Sequence, residues 1–326
     1  MKREDKIIAP EDYLEPSCPL CGEPYGVTPA LKAVPQQRII QKMDEYMSRR
    51  DYAGAERHLL YWLEEAKLGR DLRGELMIRN ELVGHYRKIG EKDKSLENAG
   101  EALRLLKTLD FEETLSAGTT YVNAATACNA FGENVRAMEL FEKARKIYEG
   151  QAAENGKAPH DGQVPENGSQ NTYIGSRPEL LGGLYNNMAL TCAAMKDYKK
   201  AHALYDRAME VMEKAPNGEL EQAITCLNRA NAVEDELGPE AGEERINALL
   251  EEAEKLLDTP SVPRNGYYAF VCEKCAPTFS YYGYFLTAGK LKETAEEIYG
   301  RIEGGEANER RASGEANGRT ESGEAG

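Results

Sequence analysis

Two pairs of cysteines have the spacing of a metal-binding motif. Cys18 and Cys21 flank a Pro-Leu dipeptide, and Cys272 and Cys275 repeat the two-residue gap far along the chain. Two thiolates on a tight turn can point at one Zn²⁺, and four would supply an all-cysteine structural site. Typical sites of this kind close within a few tens of residues, and the two pairs are much further apart than that.

Each pair therefore has competing interpretations. We interpret Cys18 and Cys21 as a zinc knuckle, either alone or completed by a partner. For Cys272 and Cys275 we favour core packing over a metal site, because eight aromatic residues surround them. Either pair could instead be a redox switch, since paired thiols can form a disulfide. Zinc is the one cofactor that the sequence suggests, and a zinc-binding or redox-responsive regulator is the alternative function.

A row of amides is the second feature that could do chemistry. Alignment of three helical segments places Asn123, Asn187 and Asn228 at one position, with Asn80 and Asn186 one residue earlier. Asparagine is a poor residue inside a helix, because its amide competes with the backbone hydrogen bonds. Its recurrence in register indicates a common purpose.

That purpose has two interpretations, which are not exclusive. The amides could face a groove and pair with the N–H and C=O groups of a bound peptide. Alternatively, each amide bonds a neighbouring helix and locks the stack, because a buried amide needs a partner. Arg79 and Arg229 lie beside the amides and are candidate cations for a bound group. The other helices supply no cation there, so a complete carboxylate clamp is not predicted.

The elements that must position these residues are paired helices. Small residues recur early in the second helix of each pair, at Ala55, Ser95, Ala137 and Ala201, spaced by 40, 42 and 64 residues. The apolar residues that follow them have the period of an amphipathic helix. The longest gap equals one repeat of about 42 residues plus an insertion, and residues 150–177 are rich in the Gly, Asn and Pro of a loop.

One of these units, Tyr198-x-x-Ala201-x-x-x-Tyr205-x-x-Ala208, resembles a tetratricopeptide repeat. The long period is similar to that of the arrays in kinesin light chains and in many bacterial proteins. The resemblance implies an all-α fold, a right-handed superhelical solenoid of about six antiparallel helical hairpins. It also implies a concave face lined by the first helix of each pair, on which asparagines at matching positions contact a peptide backbone.

The predicted organisation has three parts. Residues 1–34 form an extension with the first cysteine pair, residues 35–302 form the solenoid with a loop insertion at 150–177, and residues 303–326 form a polar tail with too little apolar area to fold. In the sixth hairpin, Pro277 predicts a kink or break. The aromatic residues between Tyr267 and Phe285 either cap the end of the solenoid, which we favour, or offer stacking anchors to a partner.

Composition excludes several classes of function. The net charge of −15 argues against binding to nucleic acid or to anionic membranes. No segment has the roughly 20 apolar residues of a membrane span, and the charged N-terminus lacks the apolar run of a signal peptide, so we expect a cytoplasmic protein. No phosphate-binding loop, H-E-x-x-H or G-x-S-x-G motif occurs, so we expect no enzymatic activity.

The sequence thus predicts a non-enzymatic scaffold that binds a protein or peptide of unknown identity along the first helices. The alternative is the zinc-binding or redox-responsive regulator described above. A third possibility is a structural part of a larger complex with no discrete ligand. The oligomeric state is not predicted.

Overall fold

The structure, a computed structural model, describes residues 32–155 and 178–318, and within them the side chains of residues 32–150 and 178–301. Cys18, Cys21 and most of the insertion lie outside the described residues. The described residues form twelve α-helices and no strand: α1 Gln36–Ser48, α2 Tyr52–Leu68, α3 Leu72–Lys88, α4 Lys92–Thr108, α5 Leu115–Ala130, α6 Asn134–Asn155, α7 Pro178–Ala194, α8 Tyr198–Met212, α9 Glu219–Leu237, α10 Pro239–Leu257, α11 Gly266–Tyr281 and α12 Phe285–Gly318.

Successive helices pair as hairpins, and this confirms the all-α repeat class predicted from the sequence. α1 packs on α2, α3 on α4, α7 on α8, α9 on α10 and α11 on α12. The connections within the pairs are only a few residues long, so the two helices of each pair run antiparallel. The chain divides into two compact units, unit 1 ending at Ala144 and unit 2 beginning at Arg145. Each unit is therefore described by itself.

The turn inside each hairpin contains one residue with left-handed backbone geometry. Gly132 has φ +81° in the turn between α5 and α6, where glycine carries no steric penalty. The corresponding turn between α7 and α8 uses Lys196, with φ +65°, which costs about 1 kcal/mol for a residue with a side chain. The Nζ of Lys196 lies 2.7 Å from an Asp235 carboxylate oxygen, which offsets part of that cost.

The recurrent small residues lie where two helices approach closely. Ala55, Ser95, Ala137 and Ala201 are all fully buried, as their spacing predicted. Ser95 replaces alanine without leaving an unpaired hydroxyl, because its Oγ donates a hydrogen bond of 3.0 Å to the carbonyl of Val83. The repeat period in the sequence therefore follows the contact between the two helices of a hairpin.

The helices extend further than the sequence predicted at two places. α6 continues to Asn155, so the first residues of the insertion at 150–177 are helical. α12 continues to Gly318, whereas the predicted polar tail began at 303. Both extensions contain Ala and Glu, which favour helix, although residues 303–318 also contain four glycines.

Pro277 neither breaks α11 nor ends it. The helix is continuous from Gly266 to Tyr281, although Pro277 donates no backbone hydrogen bond to the preceding turn. Cys275, Ala276 and Phe279 on either side of it are buried, and this packing holds the helix in place. The turn of the last hairpin follows at Gly283, with φ +85°.

Each unit has its own hydrophobic core. In unit 1 a cluster around Leu59, Ile78 and Leu82 joins α1, α2 and α3. In unit 2 a larger cluster around Leu250, Val271 and Phe279 joins α9 to α12. Within the described residues, no helix has the length and apolar character needed to cross a membrane.

Candidate functional site

Two asparagines on neighbouring first helices are joined in unit 2. The Nδ2 of Asn228, on α9, donates a hydrogen bond of 3.2 Å to the Oδ1 of Asn186, on α7. Asn186 is buried, with 6% of its surface exposed, whereas Asn228 is half-buried. We call this pair the unit 2 amide clasp. It fixes the positions of α7 and α9 against each other.

The same contact recurs in unit 1. The Nδ2 of Asn123, on α5, donates a hydrogen bond of 3.2 Å to the Oδ1 of Asn80, on α3. The Nδ2 of Asn80 donates in turn to the Oγ1 of Thr120 and to the carbonyl of Leu76, each at 3.0 Å. This unit 1 amide clasp therefore uses both ends of the Asn80 amide.

The clasps explain the register found in the sequence. Each joins a residue at the shared position, Asn123 or Asn228, to a residue one position earlier on the preceding first helix, Asn80 or Asn186. For these four residues the structure shows the helix-locking bond that the sequence offered as one interpretation. These four residues can bind a peptide only through the amide atoms that are not used in a clasp.

Asn187 differs from the other amides. It is half-buried on α7, and its side-chain amide forms no hydrogen bond with any described residue. One turn earlier, a Cβ at Gly183 would have no atom of the described residues within 4 Å, whereas one at the adjacent Gly182 would meet the Met212 side chain. Gly182 thus faces the second helix α8, and Gly183 lies beside Asn187 on an open surface, since residues four apart share a helix face.

Arg79 lies inside unit 1 rather than on the first-helix surface. It is 9% exposed, and its Nη2 and Nε donate to Glu75 Oε1 at 3.1 and 3.2 Å. Its Nη1 donates to Asn98 Oδ1, on the second helix α4, at 3.0 Å. Because its donors are occupied within the fold, we leave Arg79 out of the candidate surface.

Arg229 is also directed at a second helix. Its Nη1 lies 2.7 Å from Asp206 Oδ1 on α8, and its side chain is one-quarter exposed. Both arginines therefore pair with carboxylates or amides of their own unit. Within the described residues, this agrees with the absence of a complete carboxylate clamp in the sequence.

A half-buried carboxylate occupies the amide position on α3. Burial raises the pKa of Glu81, and the nearby charge of Asp44, on α1, raises it further. Burial also raises the pKa of Asp44 itself. At this position unit 1 thus carries an acidic group on α3, Glu81, and an amide on α5, Asn123, whereas unit 2 carries Asn187 and Asn228.

In the last hairpin, α11 carries a buried set and an exposed set of aromatic residues. Tyr268 and Phe279 are buried in the core of unit 2, with 3% and 0% exposed. Tyr267, Phe270 and Tyr281 are 49%, 47% and 69% exposed, and we call these three the aromatic stripe. Their spacing along α11 places them on one face of the helix. Sequence periodicity predicted an excess of aromatic residues there, but it could not tell which ones a neighbouring helix covers.

The aromatic stripe is tied to carboxylates of α9. Tyr267 donates to Glu221 near the start of both helices, and Tyr281 donates to Glu234 Oε1 at 3.0 Å near their ends. The α9 and α11 helices therefore run parallel. The other oxygen of Glu234 accepts a bond of 2.9 Å from Tyr282. We call this line of contacts the α9–α11 seam.

The second cysteine pair lies on the opposite side of α11. Cys272 and Cys275 are 0% and 1% exposed and belong to the hydrophobic core of unit 2, as the core-packing interpretation predicted. Burial raises the pKa of Cys275 to about 12 and also raises that of Cys272. Both are free thiols. In this environment the protonated thiol is strongly favoured over the thiolate that binds metal.

The proposed zinc knuckle stays a prediction, because Cys18 and Cys21 lie outside the described residues. Within residues 32–155 and 178–318, no three His, Cys, Asp or Glu side chains are grouped so that they could hold a metal ion. The alternative function as a zinc-binding or redox-responsive regulator depends on the undescribed pair.

Comparison with known proteins gives similarity at the level of the fold. No protein-family model and no curated protein sequence matches the chain. The solved structures that are similar include two with low sequence identity. BtubC (BKLC) from P. vanneervenii is 17% identical, with 83% of this chain and 94% of that chain covered and a TM-score of 0.39. The apo form of the quorum sensor NprR from B. thuringiensis is 13% identical, with 81% and 87% covered and a TM-score of 0.27.

The fold itself rests on the features of this chain. The chain shows helices paired as hairpins and small buried residues at the helix contacts. Each clasp joins residues one repeat apart, at sequence separations of 43 and 42, and these features together define a tetratricopeptide-like helical repeat. Its candidate functional surface in unit 2 consists of the first helices α7, α9 and α11. This surface carries the unpaired Asn187 amide and the aromatic stripe.

Proposed function

We propose that the chain is a non-enzymatic scaffold that binds a peptide or an extended protein segment on the first helices of unit 2. The observation that carries this proposal is the Asn187 amide, which is half-buried and has no hydrogen-bond partner among the described residues. An amide in that state favours a ligand that offers both a donor and an acceptor. A peptide backbone has that chemistry at every residue.

The surroundings of Asn187 support the same proposal. The open space at Gly183 admits a ligand main chain beside the amide. Asn228 lies on the adjacent first helix. Its Nδ2 donates the hydrogen bond of the clasp, and its Oδ1 has no hydrogen-bond partner among the described residues. Together these residues provide donors and acceptors on two helices, which can hold an extended segment in one orientation.

A displayed library of random twelve-residue peptides provides a defined probe, selected against the full chain. We expect enriched peptides whose affinity falls about tenfold with Asn187→Ala, which removes the free amide and leaves both clasps intact. Gly183→Phe should abolish binding, because its ring would occupy the space beside Asn187, where a Cβ meets no described atom within 4 Å. Gly289→Phe is the matched control: it is a helical glycine of unit 2 with equally open surroundings, but it lies on the second helix α12.

Two results would remove the proposal. One is selection that enriches no peptide. The other is a set of peptides that bind Asn187→Ala and Gly183→Phe as tightly as they bind the unmodified chain. Circular dichroism of each variant verifies that the helices are retained.

A further inference from the structure

We propose that the α9–α11 seam recognises a basic partner segment, through two cation-binding points at its ends. This inference rests on the proposed function and specifies the chemistry of the partner. It starts from the aromatic stripe, where three large rings are between 47% and 69% exposed on one face of a single helix. Large exposed aromatic side chains that are held rigidly are common anchors of protein interfaces.

The first cation-binding point is at the start of α11. The rings of Tyr267 and Phe270 are stacked, with centroids 6.2 Å apart and planes at 24°. The hydroxyl of Tyr267 donates to the Glu221 carboxylate, which holds the ring in one orientation. A carboxylate has about four acceptor sites, so Glu221 can also accept from a cation placed on the ring face. A guanidinium there would gain both a cation–π contact and a charged hydrogen bond.

The second point repeats this chemistry at the end of α11. The rings of Tyr281 and Tyr282 meet edge to face, with centroids 4.9 Å apart, and both hydroxyls donate to Glu234. The hydrogen bond to this carboxylate raises the pKa of Tyr281. Asp235 and Glu236 follow Glu234 in the last turn of α9, but Asp235 is paired with Lys196 at 2.7 Å and Glu236 lies 2.9 Å from the Nε2 of His202. The negative charge at this point therefore comes from Glu234 and from the negative end of the helix dipole. A cation is therefore favoured there, and an anion is disfavoured.

The distance between the two points sets the form of the ligand. Tyr267 and Tyr281 are 14 residues apart in one helix, or about 21 Å at 1.5 Å per residue. An extended peptide covers that distance in about six residues, and side chains six apart point to the same side. Lys274 lies midway on the same face and is exposed. Its ammonium disfavours a third cation and suits a ligand carbonyl. The seam thus fits an extended segment with two arginines six residues apart.

The probe is an acetylated nonapeptide of serine and alanine with arginine at its second and eighth positions. Isothermal titration with the full chain should show binding that weakens as salt is raised, because the contacts are ionic and partly exposed. A peptide with arginines at the second and fifth positions should bind at least tenfold more weakly, since it reaches only one point. A peptide with glutamate in place of both arginines should show no binding.

Variants of the seam separate charge from structure. Glu221→Gln with Glu234→Gln keeps acceptors for the tyrosine hydroxyls and removes both charges, and it should weaken binding about tenfold. Tyr281→Ala should weaken binding of the nonapeptide about fivefold, which is the size expected for the loss of one cation–π contact. Phe285→Ala is the control, because Phe285 is equally exposed at 69% but lies on α12, outside the seam.

The outcomes distinguish this inference from the function on which it rests. Library peptides that depend on Asn187 but are indifferent to the two glutamates would overturn the inference and leave the proposed function standing. Absence of any peptide binding would overturn both. Self-association of the chain that Tyr281→Ala abolishes, without binding of the nonapeptide, would assign the stripe to a second copy and would overturn the inference. Loss of nonapeptide binding in the glutamine variant, with the Phe285 control unchanged, would support it.

Discussion

The Nδ2 of Asn228 donates to the Oδ1 of Asn186 at 3.2 Å, and this bond joins the first helices of two successive repeats. Asn123 and Asn80 form the same bond in unit 1, also at 3.2 Å. In each of the two units, therefore, the same type of hydrogen bond joins successive first helices. The bond gives a structural reason for amides inside these helices that is separate from ligand binding.

The unit 2 amide clasp should contribute to stability. Asn228→Ala leaves the buried Oδ1 of Asn186 without its donor, so we expect the free energy of unfolding of unit 2 to fall by about 1–3 kcal/mol. Asn187→Ala is the matched control on the same helix surface and should cost less than about 0.5 kcal/mol, since that amide has no partner to lose among the described residues. Urea unfolding followed by circular dichroism measures both. Equal losses would mean that the clasp contributes nothing.

The buried Arg79–Glu75 pair should be far more sensitive. Arg79→Met leaves the carboxylate of Glu75, which is 6% exposed, without its cation, and should lower the free energy of unfolding by about 3–5 kcal/mol. Trp62, the single tryptophan of the chain, lies in α2 of unit 1, so its fluorescence follows the unfolding of that unit.

A second substitution, at Glu75, removes the carboxylate that Arg79→Met leaves without a cation. Arg79→Met with Glu75→Leu should recover most of the lost stability, because no buried charge is left without a partner. A double variant no more stable than Arg79→Met would show that the loss comes from packing and not from the carboxylate.

His85 should make unit 1 sensitive to acid. It is 4% exposed, and neither ring nitrogen has a hydrogen-bond partner among the described residues. Burial lowers its pKa; the charge of Glu56 opposes this shift, whereas that of Lys94 adds to it. The contribution of neutral His85 to the stability of unit 1 is fully present above the pKa of the unfolded state, about 6.5. This contribution is lost as the pH falls from there through the lowered pKa of the folded state.

The measurement compares the free energy of unfolding at pH 7.5 and pH 5.0 by tryptophan fluorescence. His85→Phe keeps a ring between Tyr52 and Tyr86 and should reduce the loss between these two pH values. Part of the loss should persist, because burial also lowers the pKa of His58 in the same unit. An unchanged pH dependence in His85→Phe would rule out this imidazole as a source.

The buried thiols should be inert in the native protein. Burial raises the pKa of Cys275 to about 12 and of Cys226 to about 11, so almost no reactive thiolate is present at neutral pH. We expect iodoacetamide to label these two cysteines only in denaturant, as measured by mass spectrometry of tryptic peptides. Rapid native labelling of Cys275 would contradict its place in the core.

Small and apolar residues made the fold predictable. Ala55, Ser95, Ala137 and Ala201 tolerate no larger side chain at the helix contact, so their spacing records the repeat directly in the sequence. The helix extensions to Asn155 and Gly318 were missed, because they have no apolar face by which to recognise a helix in the sequence.

The site was only partly predictable, because helical register identifies a face and not its neighbour. Asn123, Asn187 and Asn228 share a position, yet the structure pairs two of them with another helix and leaves Asn187 unpaired among the described residues. Arg79 looked like a surface cation beside them and is buried against α4. The signal for the clasp was the earlier asparagine, Asn80 or Asn186, one repeat before its partner.

The α7–α8 hairpin carries both halves of a clasp, since Asn186 is an acceptor and Asn187 holds the position that supplies the donor in Asn228. A tandem duplication of this hairpin would therefore set the Asn187 of the second copy against the Asn186 of the first. The second copy would therefore already contain the donor that the Asn186 of the first copy accepts from. As far as this bond is concerned, growth of the array by gene duplication at this place needs no new asparagine, and a designer can use the same pair of residues when lengthening the protein.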